Sequence, residues 1–206
     1  MKNLFSLQKI ETPRLKLRPL LLNDDMALFD TIKKSQEILK PWYPWAQTLE
    51  LEKIKEFVHK AVSDRHAQQF SYFPLLMLSK ENDEIIGQVS FNHRSNPAKK
   101  IYEIGSWRSI NCHGKGYSQE AINALSRYAF EQLDASVTVL RTRENNVAAN
   151  SLAKRLNFLL RCTIASDTKE NATDHYYTCE NIDMLPPLEI SWECGQVTQG
   201  MKKFSL

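Results

Sequence analysis

Long apolar runs are missing from this chain. No stretch of 18 consecutive apolar residues occurs, and Met1 to Ile10 holds no apolar segment of signal-peptide length. The expectation is a cytoplasmic protein with no membrane partner. Cysteine is scarce and badly spaced for chemistry: Cys112, Cys162, Cys179 and Cys194 form no CxxC pair. Together with His59, His66, His93, His113 and His175 they make no zinc signature, so reduced, unpaired thiols and no metal are expected. A strong charge of either sign is also lacking. The 27 basic and 24 acidic residues leave a formal net charge of +3, and the local basic clusters are Lys99-Lys100 and Lys202-Lys203. That surplus is too small and too scattered to argue for nucleic acid. Internal repeats and low-complexity linkers are absent as well.

What is present suits one α/β domain over 1–206, with a core of about 10–182 and a C-terminal extension over 183–206. The 42% hydrophobic and 25% charged residues are an ordinary globular balance. Thr12 to Leu20 alternates apolar and basic residues between two prolines, a short strand. Asn23-Asp24-Asp25 offers a helix cap ahead of Met26, Phe29 and Ile32, and the Pro-interrupted Pro41 to Trp45 segment is a loop. Ile54, Phe57, Val58, Ala61 and Val62 mark a second amphipathic helix. Strands are expected over 72–79, 85–91 and 101–107, a helix over 116–133, a strand over 137–141 and a helix over 149–156. Two more strands are expected over 158–164 and 175–182. The order β-α-α-β-β-β-α-β-α-β-β implies one mixed, twisted sheet with helices on both faces. Leu188, Ile190 and Trp192 then alternate, as an added edge strand (within the chain or across a dimer) or a docked tail.

The most informative segment is Ile110 to Ser118, between a strand and a helix. Gly114 and Gly116 let successive backbone N–H groups turn toward one point, and the helix start adds unpaired N–H groups and a positive dipole end. Together they suit a phosphate or diphosphate, with Lys115 as a nearby charge. A Walker loop is excluded, since Gly116 and not Ser or Thr follows Lys115. A dinucleotide fingerprint is excluded by the missing third glycine and the mid-chain position.

Glu103-Ile104-Gly105-Ser106-Trp107, followed by His113-Gly114-Lys115-Gly116-Tyr117-Ser118-Gln119-Glu120-Ala121, resembles the central motif of the GNAT acetyltransferase superfamily. Thr12-Pro13-Arg14-Leu15, Ile86-Gly87 before Phe91-Asn92, Arg143 to Phe158 and Asp174-His175 are similar to its Rim-type branch, which acetylates the N-termini of ribosomal proteins. The resemblance spans roughly residues 10–182 and implies the GNAT fold and acetyl-CoA as co-substrate. It implies that the diphosphate meets backbone N–H groups of His113, Gly114, Lys115, Gly116, Tyr117 and Ser118. The pantetheine arm is then expected along the backbone of Arg108, Ser109 and Ile110, and against Asn146. His113 stands where the family has Arg or Gln, Ser118 where it has Gly or Ala, and Asn157 where a glycine precedes Phe158.

Acetyl transfer from a thioester to an amine needs a neutral amine, and the departing thiolate benefits from a proton. A peptide α-amine with pKa about 7.7–8.0 is neutral roughly once in seven at pH 7, a lysine side chain on the order of once in 2,500. An N-terminal amine therefore needs only a modest base. Glu103, in an otherwise apolar strand leading to the loop, is the candidate, with a strand-edge carboxylate paired with Lys99, Lys100 or solvent as the competing reading. The serine that serves as acid in the Rim-type branch falls on Ala149 here. Ser151, about 200° further around the helix, reads as a surface hydroxyl. A phenol on the last strand is the substitute; strand alternation turns only one of Tyr176 and Tyr177 toward the cleft, and Tyr177 is the catalytic candidate carried forward.

On the acceptor side Trp42, Tyr43 and Trp45 lie in the loop that resembles the family's acceptor wall, with core packing as the alternative. The expected function is N-acetylation of a protein or peptide N-terminal α-amine in a ternary complex, by a monomer or homodimer. The alternatives are a small-molecule amine acceptor, such as a polyamine or antibiotic, and a noncatalytic acyl-CoA-binding module.

Overall fold

The computed structural model describes residues 3–167 and 169–195; the Lys202-Lys203 cluster and residues 196–206 of the expected extension lie outside the described residues. The chain opens with strand β1 (Leu7–Glu11), which the reading above did not anticipate, and then β2 (Leu15–Pro19). Helices α1 (Asp25–Leu39) and α2 (Leu51–His66) follow, then β3 (Phe73–Ser79), β4 (Ile85–Phe91) and β5 (Ile101–Arg108). Helix α3 (Tyr117–Leu133), β6 (Val137–Arg143), α4 (Val147–Arg155), β7 (Leu159–Ala165), β8 (Thr173–Cys179) and β9 (Ser191–Cys194) complete it. Their sheet order is β7-β8-β6-β5-β4-β3-β2-β1-β9.

The last expected strand ends early. Cys179 closes β8, and Ile182 to Met184 form a 3₁₀ turn where Asn181 accepts a hydrogen bond from the Asp183 N–H. The alternating tail beyond Pro187 is an edge strand within the chain: β9 pairs antiparallel with β1, Ile10 opposite Trp192.

The two apolar cores lie on opposite faces of the sheet. Leu28, Ile32 and Leu39 of α1, spaced to share one helix face, meet Val58 of α2, Leu76 and Trp107 on one side. On the other side α3 buries Ala121, Ile122, Leu125, Tyr128 and Ala129 against Leu17, Leu75, Val89 and Ile104. Helices on both faces explain why β3 and nearly all of β4 are buried from end to end.

One feature of this sheet creates a site. Strands β5 and β6 run parallel and pair from Ile101–Val137 to Ile104–Leu140, and no further. Beyond that point β5 stays with β4 (Gly105 opposite Ser90, Trp107 opposite Gln88), while β6 stays with β8 (Arg141 opposite Tyr176, Arg143 opposite Asp174). The grip of β4 on this half of β5 needs Gly87: a Cβ there would lie 2.2 Å from the Trp107 carbonyl oxygen. The sheet therefore splits into a wedge, closed at Ile104 and Leu140 and open toward the start of α3.

Candidate active site

The wedge continues into a cleft of about 1060 Å³ running from the α1–α2 loop, past β5 and β6, to the N-termini of α3 and α4. Its inner edge is the backbone of β5. Successive N–H and C=O groups of a strand point to opposite edges. Glu103 and Ser109 bond toward β4, the first by accepting from the Asn92 N–H (2.7 Å), the second by donating to the Ile86 carbonyl (2.7 Å). The backbone groups of Ser106 and Arg108 consequently face the gap. The N–H groups of Ser109 and Ile110, both expected to serve an extended ligand, have protein partners instead, since Ile110 donates to Ser35 Oγ at 3.1 Å. That corrects the expectation for Ser109 and Ile110 and keeps Arg108: the edge facing the gap is Arg108 and the N–H of Ser106, whose carbonyl already accepts from Tyr43 OH.

The loop ahead of α3 tightens first. Cys112 donates to the Ser109 carbonyl and His113 to that of Ile110. Gly114 and Gly116 then take φ of +74° and +78°, where any Cβ is strained, and Gly116 caps the helix. The first helical hydrogen bond onto the cap is donated by Glu120 to the Gly116 carbonyl. Between them, the amides of Gly114, Lys115, Gly116, Tyr117, Ser118 and Gln119 have no acceptor among the described residues. This is a helix-start anion cradle. Ser118 adds a buried hydroxyl without a partner among the described residues.

A clamp that sequence reasoning missed fixes the cradle. Glu120, 7% exposed, accepts hydrogen bonds from Thr12 Oγ1 (2.6 Å), the Arg14 N–H (2.9 Å) and Arg14 Nε (2.6 Å). Arg14 Nη1 also donates to the Lys115 carbonyl (2.8 Å), and its guanidinium lies 4.7 Å from the Tyr117 ring centroid. Lys115 is thus held through its backbone and its side chain does not line the cleft. Arg108 Nη2 lies 3.1 Å from His113 Nδ1, and loss of hydration and then the Arg108 charge hold the imidazole below its usual range.

The opposite wall begins at Asn146, whose Oδ1 caps α4 by accepting from the Ala149 N–H (3.1 Å). Ala148, Ala149, Ser151, Leu152 and Arg155 of α4 all line the cleft. At 100° per residue these positions cover an arc of about 160°, with Ala149 and Ser151 at its two margins. Ser151, expected as a helix-surface hydroxyl, thus lies at the margin of the cleft, about 200° from Ala149 around the helix. Behind this wall Asn150 is a hub. It donates to the carbonyls of Arg143, Glu144 and Asn146, and its Oδ1 accepts from Thr142 Oγ1 and Tyr177 OH.

That bond decides the tyrosine question. Tyr177, opposite Leu140, points into the α3–α4 core, 1% exposed, with its hydroxyl 3.0 Å from Asn150 Oδ1. It does not line the cleft, which corrects the expectation that it delivers a proton there. Tyr176 takes the other face, beneath the Arg141 guanidinium at 5.3 Å. Burial raises its pKa, and the charge of Glu103 adds to that while Arg141 and Arg94 oppose it. It too falls outside the cleft lining among the described residues.

Glu103 does line the cleft, 4% exposed. Its Oε1 accepts from Asn92 Nδ2 (3.2 Å) and lies 3.6 Å from Arg94 Nη1. The expected alternative partners, Lys99 and Lys100, are not the ones it meets; Lys100 pairs with Asp134. Around it Asp167 bridges Arg94 and Arg141, and Asp174 holds Arg141 and Arg143. Three arginines and three carboxylates balance on and beside this floor; Arg143 and Asp174 appear in the motifs quoted above, but only Glu103 was a site candidate.

At the acceptor end Trp42 and Tyr43 line the cleft beside Trp107. Tyr43 OH donates to the Ser106 carbonyl at 2.6 Å, and burial pushes the phenol pKa well up. Trp45 does not line the cleft: it is 42% exposed and packs behind, against the rings of Tyr43 and Trp107.

Comparison with known proteins bears on the family and the fold. The family model for the acetyltransferase (GNAT) domain matches residues 14–159. An uncharacterized N-acetyltransferase, YnaD of Bacillus subtilis (strain 168), is 26% identical over 147 residues, 71% of this chain and 80% of that protein. Among solved structures, RimL, a ribosomal L7/L12 α-N-protein acetyltransferase in complex with coenzyme A, superposes with a TM-score of 0.77 at 22% identity, covering 85% of this chain and 99% of RimL. The microcin C7 self-immunity acetyltransferase MccE, bound to acetyl-CoA and AMP, gives 0.74 at 22% identity, over 82% and 93% of the two chains. The matched model spans both walls of the wedge and the whole anion cradle, and the chain belongs to the GNAT acetyltransferase family, enzymes that use acetyl-CoA.

Proposed function

We propose that this enzyme transfers the acetyl group of acetyl-CoA to the α-amine of a protein or peptide N-terminus, in a ternary complex within the split sheet. The observation that carries the reading is the run of amides from Gly114 to Gln119 without partners among the described residues, set at the mouth of a wedge lined by two carboxylates: Asp174, held by Arg141 and Arg143, and Glu103. When bound, acetyl-CoA supplies an activated thioester carbonyl. The diphosphate fits the amide cradle, with Arg108 and His113 beside it; the gap-facing backbone of Arg108, the N–H of Ser106 and the side chain of Asn146 fit the pantetheine arm. Lys115 contributes its amide.

Glu103 accepts the amine proton, through water where the acceptor stands off. A carboxylate already bonded to Asn92 and near Arg94 is a modest base, which suits an amine that is neutral about once in seven at pH 7. Trp42 and Tyr43 form the apolar wall on which the acceptor's first residues lie. The likeness to RimL supports a ribosomal-type N-terminal substrate. The test is release of free CoA with acetyl-CoA and a panel of peptides and small amines. Turnover with peptides supports the reading, turnover with small amines alone replaces the acceptor, and tight acetyl-CoA binding without turnover leaves a binding module.

A further inference from the structure

We infer that the Ser118 side chain, beyond its backbone amide, binds the donor: its hydroxyl donates a hydrogen bond to the diphosphate of acetyl-CoA. The inference rests on the cofactor placement proposed above and adds a contact that the small Gly or Ala of the family motif cannot make.

Three observations converge on it. Ser118 is 6% exposed and its Oγ has no hydrogen-bond partner among the described residues. Buried polar atoms without partners are rare in native proteins, and each calls for a cause. Other atoms share this state here (Ser126 Oγ, Thr138 Oγ1 and Gln132 Oε1), but of the four residues only Ser118 lines the cleft. The third observation is position. Ser118 is the second residue of α3, among the acceptor-less amides of Gly114 to Gln119, where the helix start favours an anion. A hydroxyl there is a donor awaiting an acceptor, and the nearby cleft supplies a charged one only when a phosphate enters.

The energetic pattern is unusual and testable. In the free enzyme the hydroxyl is desolvated and unpaired, so removing it relieves a penalty. In the complex it bonds a charged oxygen, so removing it loses a contact worth about 10- to 100-fold in affinity.

The experiment compares wild type with Ser118→Ala by calorimetric titration with CoA, by thermal melting without ligand, and by kinetics with acetyl-CoA and with S-acetyl-pantetheine, which has no diphosphate. Expected are a Kd for CoA and a KM for acetyl-CoA raised about tenfold or more, an unchanged kcat, an unchanged KM for S-acetyl-pantetheine, and a melting temperature equal to or above wild type. Equal CoA affinity in the two proteins overturns the inference and leaves the cofactor placement standing. A lower melting temperature with equal losses for both donors also overturns it, by making Ser118 structural. Failure of wild type itself to bind CoA overturns the cofactor placement and the inference together.

Discussion

Glu103 and Tyr177 had the same standing as candidates, and their surroundings separate them. The phenol of Tyr177 is spent on Asn150 inside the core, so Tyr177→Phe should leave kcat within about twofold and lower stability by about 1 kcal/mol, the usual worth of one buried hydrogen bond. A hundredfold fall in kcat in a folded variant would return it to the mechanism. Glu103→Gln should slow the reaction at neutral pH and lose less at high pH, where more of the amine is already neutral. A pH–rate profile unchanged from wild type would falsify its role as base. His113 gives a third check. Loss of hydration and Arg108 hold its free-enzyme pKa down, whereas a diphosphate beside it favours the imidazolium. Its pKa therefore rises on binding, and acetyl-CoA affinity should increase as pH falls from about 7.5 to about 5.5. His113→Gln should show a shallower trend in the same titration, with the ligand's own phosphate ionisation common to both proteins.

The cradle is a property of an element boundary. Six amides are left without partners among the described residues because Gly116 caps α3 in a left-handed conformation and because the Arg14–Glu120–Thr12 clamp holds the segment ahead of β2 against that helix start. Gly116→Val adds a β-branched side chain at φ +78°, a conformation that costs L-residues about 1–2 kcal/mol, and it places bulk where the ligand backbone approach is needed. Acetyl-CoA binding by calorimetry should fall at least about 100-fold, which corresponds to about 2.7 kcal/mol, in a variant whose circular dichroism is native. Unchanged affinity would remove the loop from the site.

For the whole molecule, the nine-stranded sheet separates stability from chemistry. The wedge lies between β5 and β6, and the C-terminal strand β9 sits at the far edge, beyond β1. There Leu188, Ile190 and Trp192 pack on the core, and the Trp192 ring meets Tyr128 edge-on at 6.1 Å. Ending the chain after Pro187 should therefore cost about 3 kcal/mol, or roughly 6–12 °C in melting temperature. The KM for acetyl-CoA should stay within about twofold of wild type. A large rise in KM at a temperature where the shortened protein is folded would show that the edge strand reaches the site after all.

Local periodicity and turn chemistry were enough to read β2 through β7, all four helices and the glycine loop, because those signals repeat within a few residues of one another. The residues of the cradle were legible for the same reason: helix start and glycines are neighbours in the chain. Alternation along β8 could say that Tyr176 and Tyr177 face opposite ways, but not which way. That phase is set by pairing with β6, where Leu140 faces the α3–α4 core and carries Tyr177 with it. Strand β1 was missed because its pattern acquires meaning only against β2 and β9. The wedge, the gap-facing edge at Ser106 and Arg108, and the balanced floor around Glu103 come from strands that part company after Ile104 and Leu140. A gap between two strands 36 residues apart in the chain has no local signature, since it is created by where each strand finds its other neighbour.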